Sequence, residues 1–163
     1  MPGGFWYYAQ QDPEWFAVVD PDGTEYRAGD VLARCNQMVH GLRELGLGVG
    51  DTVAAILPNG IDPTIVYLAA LQAGFFYVPI NYRLSPPEIA YILGDSDAKA
   101  FVTHERFAET AVLNFDQDEA GQKQRDAAGR PRAVTLNRHG FASVGEAWND
   151  DPPARCGGDP GTA

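Results

Sequence analysis

The sequence predicts an α/β fold, namely a partial, mostly parallel open sheet covered by helices. Short apolar runs without polar alternation recur along the first 110 residues, as expected of strands that are covered on both faces. Segments whose apolar residues recur at helical spacings separate these runs, so strands and helices alternate along the chain. Glycine and proline mark most boundaries between the segments.

Length and composition fit a globular chain with a sizeable core. The 163 residues are 45% hydrophobic and 21% charged, which argues against a disordered, collagen-like or disulfide-rich protein. The 12 basic and 22 acidic residues give a formal net charge of −10. Because binding to phosphates needs clustered lysine and arginine, this charge predicts that the chain binds no nucleic acid.

Three features of the sequence bear on where the protein is found. No apolar run reaches the roughly 18–20 residues that span a bilayer, so we expect no transmembrane segment. The N-terminus lacks a basic region followed by an apolar stretch, so we expect no signal peptide. Cys35 and Cys156 lie far apart and outside any CxxC pattern, which favours a reducing compartment. The protein is therefore expected to be cytoplasmic.

The chain begins with a predicted short helix and hairpin. Residues 5–10 indicate an aromatic helix, and the apolar residues 16–19 indicate a strand. Residues 20–23 read Asp-Pro-Asp-Gly, a strong turn sequence, so residues 24–27 are expected to pair back. Residues 29–45 then have the apolar spacing of a long helix packed on a core.

Alternating strands and helices follow. Residues 52–57 and 75–80 are continuous apolar runs that predict covered strands, and residues 61–73 between them predict a buried helix. Ser85 and Glu88 have capping-box spacing and open a helix that runs to about residue 94. The last elements of this part are a strand at 100–103 and a helix at 105–113.

Composition changes after residue 113. Residues 114–132 are polar and predict an exposed, mobile loop. Within 133–148, residues 133–136 predict a strand that rejoins the sheet, and residues 143–148 predict one or two helical turns. The tail, 149–163, is rich in proline, glycine and aspartate and is predicted to be disordered. The predicted subdomain therefore spans residues 1–148, with its compact part at 5–113.

A glycine-rich run at residues 46–51 is similar in composition to a nucleotide-binding loop. Such a loop follows a strand and opens a helix, whereas this run follows a helix and precedes a strand. We therefore interpret it as a helix stop with a tight connection, Gly46 being the residue after the helix. Neither Lys99 nor Lys123 lies in a Walker-type loop, and no HExxH, GxSxG or paired Cys/His set occurs.

The remaining polar candidates have structural explanations. His40, His104 and His139 are scattered and are expected to be structural or solvated, although His104 ends a strand, where ligands bind in open α/β sheets. Ser85 with Glu88 favours helix capping over a nucleophile with its base. Asp62 is expected to cap a helix, and Asp95 and Asp97 are expected to close a helix and start a turn. The aromatic residues near the N-terminus could form a binding surface, but half-buried packing on the sheet is favoured; they are Phe5, Trp6, Tyr7, Tyr8 and Trp15.

Several segments resemble the N-terminal region of the adenylate-forming, or AMP-binding, superfamily. The most specific block is LQAGFFYVPIN at 71–81, continued by YRLSPPEIAYIL at 82–93 and DSDAK at 95–99. Residues 25–27, 46–54 and 57–59 add to the likeness, which covers about residues 5–110 and is weaker at 132–148. Within the superfamily the block most resembles fatty-acyl-CoA ligases, through Asn81, Arg83, Leu84 and Ile92.

The resemblance implies an α/β scaffold from a two-step ligase. A carboxylate and ATP would give an acyl-adenylate and pyrophosphate, after which coenzyme A would displace AMP. The family uses ATP, Mg²⁺ and coenzyme A. Its chemistry needs a Ser/Thr/Gly-rich loop that holds the triphosphate, a Mg²⁺ ligand, an adenine pocket and a lysine from a mobile C-terminal domain. This sequence contains no such loop, and no catalytic position of the family corresponds to one of its residues. We therefore predict no catalytic, cofactor-binding or metal-binding residues in this chain.

Two interpretations of function follow. The first is a truncated acyl-CoA synthetase-like chain that is inactive alone, with self-association or pairing with a missing C-terminal portion. The second is a non-catalytic α/β module that binds a partner or an acyl ligand. A dinucleotide-dependent oxidoreductase is disfavoured, because the glycine-rich run has the wrong context.

Overall fold

The structure is a computed structural model that describes residues 4–107, 132–137 and 140–143. The predicted loop lies outside the described residues except for Arg132. Of the predicted turns at 143–148, only Ser143 is described, and it ends a strand rather than starting a helical turn. The predicted tail lies outside the described residues. The proposed division into a compact part, a loop and a tail therefore stays a prediction.

The N-terminal elements are those that the sequence predicts. Helix α1 spans Phe5–Gln11, and strands β1 (Phe16–Val19) and β2 (Glu25–Arg27) form a separate two-stranded antiparallel hairpin. The backbone N–H of Gly23 donates to the Asp20 carbonyl over 2.9 Å. Because Gly23 has a φ of +87°, the turn uses the left-handed region in which glycine is free of strain.

The next three elements also agree with the sequence. Helix α2 covers Ala28–Glu44, strand β3 covers Thr52–Ile56, and helix α3 covers Ile61–Ala73. Gly74 follows α3 with a φ of +74°, and the N–H of Phe75 donates to the Ala70 carbonyl over 2.9 Å. This left-handed glycine ends the helix and lets the chain enter the next strand.

The later elements differ from the sequence prediction at their ends. Strand β4 is Phe76–Pro79, helix α4 is Pro86–Asp95 and strand β5 is Ala98–His104, which is longer than predicted. The predicted helix 105–113 is, in its described part, one 3-10 turn at Glu105–Phe107. After the undescribed segment come the last two strands, β6 (Arg132–Asn137) and β7 (Gly140–Ser143).

Strands β3 to β7 form one sheet in the order β4-β3-β5-β6-β7. The pairs β4–β3, β3–β5 and β5–β6 are parallel, and β7 is antiparallel to β6. The prediction of a mostly parallel open sheet is confirmed, including the strand near 133–136 that rejoins it. The sequence analysis did not predict β7.

The core is divided between the two faces of this sheet. Helices α2 and α3 cover one face, called here the α2/α3 face, and the hairpin and α1 pack against the same core. Helix α4 covers the opposite face, called the α4 face. Side chains alternate along β3, so Val53 and Ala55 point into the first core while Ala54 and Ile56 point into the second.

One burial prediction for a strand is wrong. The apolar run at 75–80 predicts a strand covered on both faces, but β4 is an edge strand and Phe76 is 67% exposed. The run is apolar throughout, yet only Phe75 and Ile80 at its ends are buried. The position of a strand within its sheet decides its burial, and periodicity within one strand carries no information about that position.

Candidate functional site at the carboxyl edge of the parallel strands

The sheet has a topological switch point at the carboxyl ends of β3 and β5. Strand β3 lies between β4 and β5 in the sheet. The chain runs from β3 to β4 through α3 on one face, and from β4 past β3 to β5 through α4 on the other. Open α/β sheets bind ligands outside the carboxyl ends of strands at such a switch point. The side chains that follow β3, β4 and β5 therefore form the candidate site.

On the α2/α3 side of this edge, charged groups from several elements come together. Asp62 lies in the first turn of α3, His104 ends β5, and the charges of His104, Arg34 and Asp20 all act on the Asp62 carboxyl. The Tyr26 hydroxyl donates to Asp20 Oδ2 over 3.4 Å. Asp20 Oδ1 is buried without a hydrogen-bond partner among the described residues.

Asp62 is the most perturbed carboxyl of this group. Burial raises its pKa, and the Asp20 charge raises it further, while the positive charges of His104 and Arg34 lower it. The sequence predicts that Asp62 caps the helix, but the N-cap residue of α3 is Gly60, which has no side chain to cap it. Asp62 sits two residues inside the helix, where its carboxylate meets the helix dipole.

On the α4 side of the edge, two aromatic rings stack between two arginines. Tyr82, after β4, and Phe107, after β5, stack with centroids 5.3 Å apart and an interplanar angle of 17°. The Arg83 guanidinium lies 5.8 Å from the centre of the Tyr82 ring, and Arg106 lies 5.8 Å from that of Phe107. Exposed guanidinium groups beside aromatic faces attract planar and anionic ligands.

His104 joins the two sides of the edge. Its Nδ1 accepts the backbone N–H of Arg106 over 3.1 Å. The sequence singled out His104 correctly as a strand-end residue, but it did not find the stack of Tyr82 and Phe107. The available signal was that both segments follow apolar strands, although only the strand order shows that these two ends are close.

The glycine-rich run lies away from this edge and is structural. Gly46 and Gly50 have φ values of +89° and +87°, and the Gly48 N–H donates to Asp51 Oδ2 over 2.7 Å. Lys99 Nζ lies 2.6 Å from Asp51 Oδ1. The Gly48 N–H and then Lys99 hold the Asp51 pKa below its ordinary value. The interpretation as a helix stop before β3 is confirmed.

The Ser85–Glu88 pair is the predicted capping box. The Glu88 carboxylate accepts the Ser85 backbone N–H over 2.8 Å and the Ser85 hydroxyl over 2.7 Å, and Pro86 is the first helical residue. These hydrogen bonds lower the Glu88 pKa. Asp95 is the last residue of α4, and Asp97 adopts a left-handed turn with a φ of +55°.

The remaining predicted candidates are His40, His139 and the N-terminal aromatic residues. His40 is exposed on α2, and His139 lies outside the described residues. The N-terminal aromatics are divided, because Phe5 packs against the core whereas Tyr8 and Trp15 are about half exposed around an open groove of about 420 Å³. Among the described residues no His, Cys, Asp and Glu group could hold a metal ion.

Two negative findings concern membranes and thiols. Within residues 4–107, 132–137 and 140–143, no helix is long and apolar enough to cross a membrane. Cys35 is a free thiol buried on α2; burial raises its pKa to about 11, and its Sγ lies 3.8 Å from the Ile65 carbonyl oxygen. A buried thiol with such a pKa contributes to core packing and does not act as a nucleophile. Cys156 lies outside the described residues.

Comparison with known sequences gives one family. The family described as AMP-binding enzyme matches residues 5–155. The long-chain-fatty-acid–CoA ligase FadD13 of Mycobacterium tuberculosis is 31% identical over 157 residues, which are 93% of this chain and 29% of the relative. A feruloyl-CoA synthase of an Amycolatopsis species is 35% identical over 90 residues, 55% of this chain and 18% of the relative. The chain thus spans less than a third of these relatives.

Solved structures give the same result. The N-terminal domain of FACL13 from Mycobacterium tuberculosis superposes with a TM-score of 0.66 at 28% identity, over 72% of this chain and 30% of that one. A long-chain-fatty-acid CoA ligase from Rhodopseudomonas palustris, described as putative, superposes with a TM-score of 0.67 at 25% identity, over 82% and 32%. The described fold is therefore that of one part of a larger domain.

Proposed function

The chain belongs to the AMP-binding enzyme family, and we propose that it is the N-terminal scaffold of an acyl-CoA ligase, inactive without the rest of that enzyme. The complete ligase would join a carboxylate to ATP, release pyrophosphate, and transfer the acyl group to coenzyme A with release of AMP. This chain would supply the parallel sheet and its carboxyl edge.

One observation carries the proposal. The likeness to FadD13 runs through 93% of this chain but through only 29% of that ligase, and the described fold superposes on a solved N-terminal ligase domain. The chain therefore shares one continuous part of a ligase rather than scattered motifs. Because FadD13 acts on long-chain fatty acids, we propose a fatty acid as the acyl substrate.

The chemistry explains why the chain alone should be inactive. Formation of an acyl-adenylate places negative charge on phosphate oxygens, which cationic donors must neutralise. Lys99 is paired with Asp51 at the end of the sheet opposite the carboxyl edge, and the sequence contains no Ser/Thr/Gly-rich phosphate loop. ATP, Mg²⁺ and coenzyme A would therefore be bound largely by residues outside this chain.

The carboxyl edge is the part of this chain that would face those polyanionic substrates. Arg83 and Arg106 are exposed there beside the stacked rings of Tyr82 and Phe107, a set that suits anionic and planar groups.

A reducing cytoplasm would suit the free thiol of Cys35, and we propose that the protein is found there.

A chimera tests the proposal. The segment of FadD13 that aligns with this chain would be replaced by residues 1–163, and formation of fatty-acyl-CoA would be measured with palmitate, ATP, Mg²⁺ and coenzyme A. An active chimera is expected, because the two scaffolds share the fold. The isolated chain, assayed at the same concentration, is expected to form no acyl-CoA.

The control is a chimera whose scaffold is broken by an aspartate in its core. Val53→Asp places a carboxylate at a fully buried position on β3 and should abolish activity. A soluble but inactive wild-type chimera would contradict the proposed scaffold role. Acyl-CoA formation by the isolated chain would contradict the claim that the rest of the enzyme is required.

A further inference from the structure

An open groove lies where α1 meets the turn before β1. Tyr8 and Gln11 of α1 and Asp12 and Trp15 of the turn line a depression of about 420 Å³, called here the aromatic groove. The Tyr8 and Trp15 side chains are 47% and 48% exposed. The groove shares no residue with the site at the carboxyl edge of the sheet. Two large rings that stand half in solvent at one groove offer apolar faces to a ligand.

Backbone hydrogen bonds hold the turn that forms one wall of the aromatic groove. The Trp15 N–H donates to the Asp12 carbonyl over 3.3 Å, and the Trp15 carbonyl accepts the N–H of Ala28 at the start of α2 over 2.8 Å. The Pro13 carbonyl accepts the Gly29 N–H over 2.9 Å. A Cβ at Gly29 would lie 2.9 Å from the Pro13 Cβ, so glycine permits this close approach. A wall that is held before binding lowers the ordering entropy that binding costs.

The chain around the aromatic groove is acidic. Residues 1–26 contain no lysine or arginine, and their five acids are Asp12, Glu14, Asp20, Asp22 and Glu25. Among the described residues the one ion pair joins Lys99 to Asp51, so the Asp12 carboxylate forms none. The last turn of α1, which carries the negative end of the helix dipole, also contains no basic residue. The groove therefore attracts positive charge.

The neighbouring residue pair shows the kind of contact that this surface makes with arginine. The Arg27 guanidinium carbon lies 3.6 Å from the centre of the Phe16 ring, and Arg27 Nη1 donates to the Glu14 carbonyl over 2.8 Å. Among the described residues no arginine or lysine covers the adjacent Trp15 ring. Tryptophan attracts cations more strongly than phenylalanine does. The Trp15 ring is therefore an unused face of the same kind.

We propose that the aromatic groove binds an arginine side chain from an exposed basic segment of a partner protein. The guanidinium would stack on the Trp15 ring with the Asp12 carboxylate as its counter-ion, and the Tyr8 ring would contact the methylene stem. Arginine fits better than lysine, because its planar guanidinium stacks on aromatic faces and is more weakly hydrated than an ammonium. A segment with several basic residues would also meet the other acids of residues 1–26, which a small cation could not do at once.

Charge disfavours other occupants of the aromatic groove. A fatty acid, the acyl substrate proposed above, would bring its carboxylate to Asp12. Anionic lipid headgroups and nucleic acid would meet the five acids of residues 1–26. A second copy of this chain would bring together two molecules that each carry a formal net charge of −10. A basic protein segment meets none of these repulsions.

A matched pair of peptides measures binding to the aromatic groove. One peptide alternates glycine with three arginines and carries a neutral dye, and the other has citrulline in place of each arginine. Citrulline keeps the planar shape of the side chain but removes its charge. Fluorescence anisotropy would follow each peptide as the 163-residue chain is added. We expect the arginine peptide to bind about ten-fold more tightly than the citrulline peptide, and its affinity to fall as salt is added.

Two matched pairs of variants locate the site. Trp15→Leu should weaken binding of the arginine peptide about five-fold, whereas Tyr91→Leu, at a 69% exposed position on α4, should change it less than about two-fold. Asp12→Asn should weaken binding about three-fold, whereas Asp95→Asn, which removes the same charge at the end of α4, should change it less than about two-fold. Because backbone atoms hold the turn, the unfolding midpoints of the two groove variants should stay near that of the wild type.

Three results would overturn the proposal. The first is equal binding of the arginine and citrulline peptides, and the second is an equal loss of binding in the groove variants and in the α4 variants. The third is competition by tetramethylammonium that matches the unlabelled arginine peptide at equal concentration, since the occupant would then be a small cation. Titration of the FadD13 chimera adds a separate test. Binding by the chain but not by an active chimera would show that the ligase covers the groove, which would defeat the partner site and leave the scaffold role standing.

Discussion

The α2/α3 face and the α4 face start from strands of similar apolar composition but end with different amounts of protected core. Among the described residues, 18 buried side chains form the core on the α2/α3 face and 7 form the core on the α4 face. The first face is closed by two helices, the hairpin and α1, whereas α4 is the described helix of the second. Among the described residues, the α2/α3 face is therefore the more fully covered of the two.

Truncation of one isoleucine on each face gives the largest expected contrast. Ile65→Ala on α3 should destabilise the chain by about 3–5 kcal/mol, and Ile89→Ala on α4 by about 2–3 kcal/mol. Both side chains are buried, but the thinner core around Ile89 can collapse more readily into the space. Urea unfolding of the isolated chain measures both values. Equal losses would show that the two cores are equally well packed.

Alanine substitution at two left-handed glycines, Gly46 after α2 and Gly74 after α3, gives the next largest loss of stability. Gly46→Ala should lower the free energy of unfolding by about 1–2 kcal/mol, because a left-handed φ is strained for alanine. Apart from its chain neighbours, no described atom lies within 4 Å of the new Cβ, so no steric clash adds to this cost. Gly74→Ala should cost about 1 kcal/mol more, since its Cβ would lie 3.1 Å from a Val49 methyl carbon. The difference between the two unfolding free energies isolates that contact. A Gly74 variant no worse than the Gly46 variant would show that Val49 moves aside.

The capping box of α4 should contribute about 1 kcal/mol. Ser85→Ala removes the side chain paired with Glu88 and should lower the free energy of unfolding by that amount. Ser96→Ala at the other end of the same helix is the matched control and should have a smaller effect, because its hydroxyl makes one long hydrogen bond of 3.4 Å. The reverse order would mean that the start of α4 is frayed in the isolated chain.

The smallest expected effects depend on pH and have opposite signs at two aspartates. The Asp62 pKa is raised above 3.8 in the folded chain, so its contribution to stability is present at low pH and is lost as pH rises through the folded value. Asp62→Asn should therefore stabilise the chain at pH 7 relative to wild type, and the gain should vanish at low pH.

Asp51 is the matched control for Asp62. Its pKa is lowered below 3.8, so it stabilises the fold above that pH and the contribution is lost as pH falls. Asp51→Asn should accordingly destabilise the chain at pH 7 and match wild type in acid. Chemical unfolding of the three proteins between pH 3 and pH 7 tests both signs, and a parallel response of the two variants would contradict the assignment.

Local signals in the sequence were enough for most elements. The helix predicted at 61–73 has those bounds in the structure, because a glycine lies on each side of a continuous apolar run. The capping box at Ser85 and the glycine stop at Gly46 were likewise predictable, since each depends on residues a few positions apart. These features are fixed by backbone chemistry within a single turn or helix end.

Features that depend on strand order could not be predicted in this way. The exposure of Phe76 follows from β4 being an edge strand, and the stack of Tyr82 on Phe107 requires two strand ends 25 residues apart in sequence to be close. Burial in the folded chain raises the pKa of Asp62, and charges from β5, α2 and the hairpin modify that shift. Each is a long-range consequence of topology, to which a pattern within one segment is blind.

The central claim is that this chain is a ligase scaffold whose chemistry requires the rest of the enzyme. The most direct test is exchange of radiolabelled pyrophosphate into ATP, in the presence of palmitate and Mg²⁺, by the isolated chain and by the FadD13 chimera at equal concentration. We predict exchange by the chimera and none by the chain. Exchange by the isolated chain at a rate comparable to that of the chimera would contradict the account.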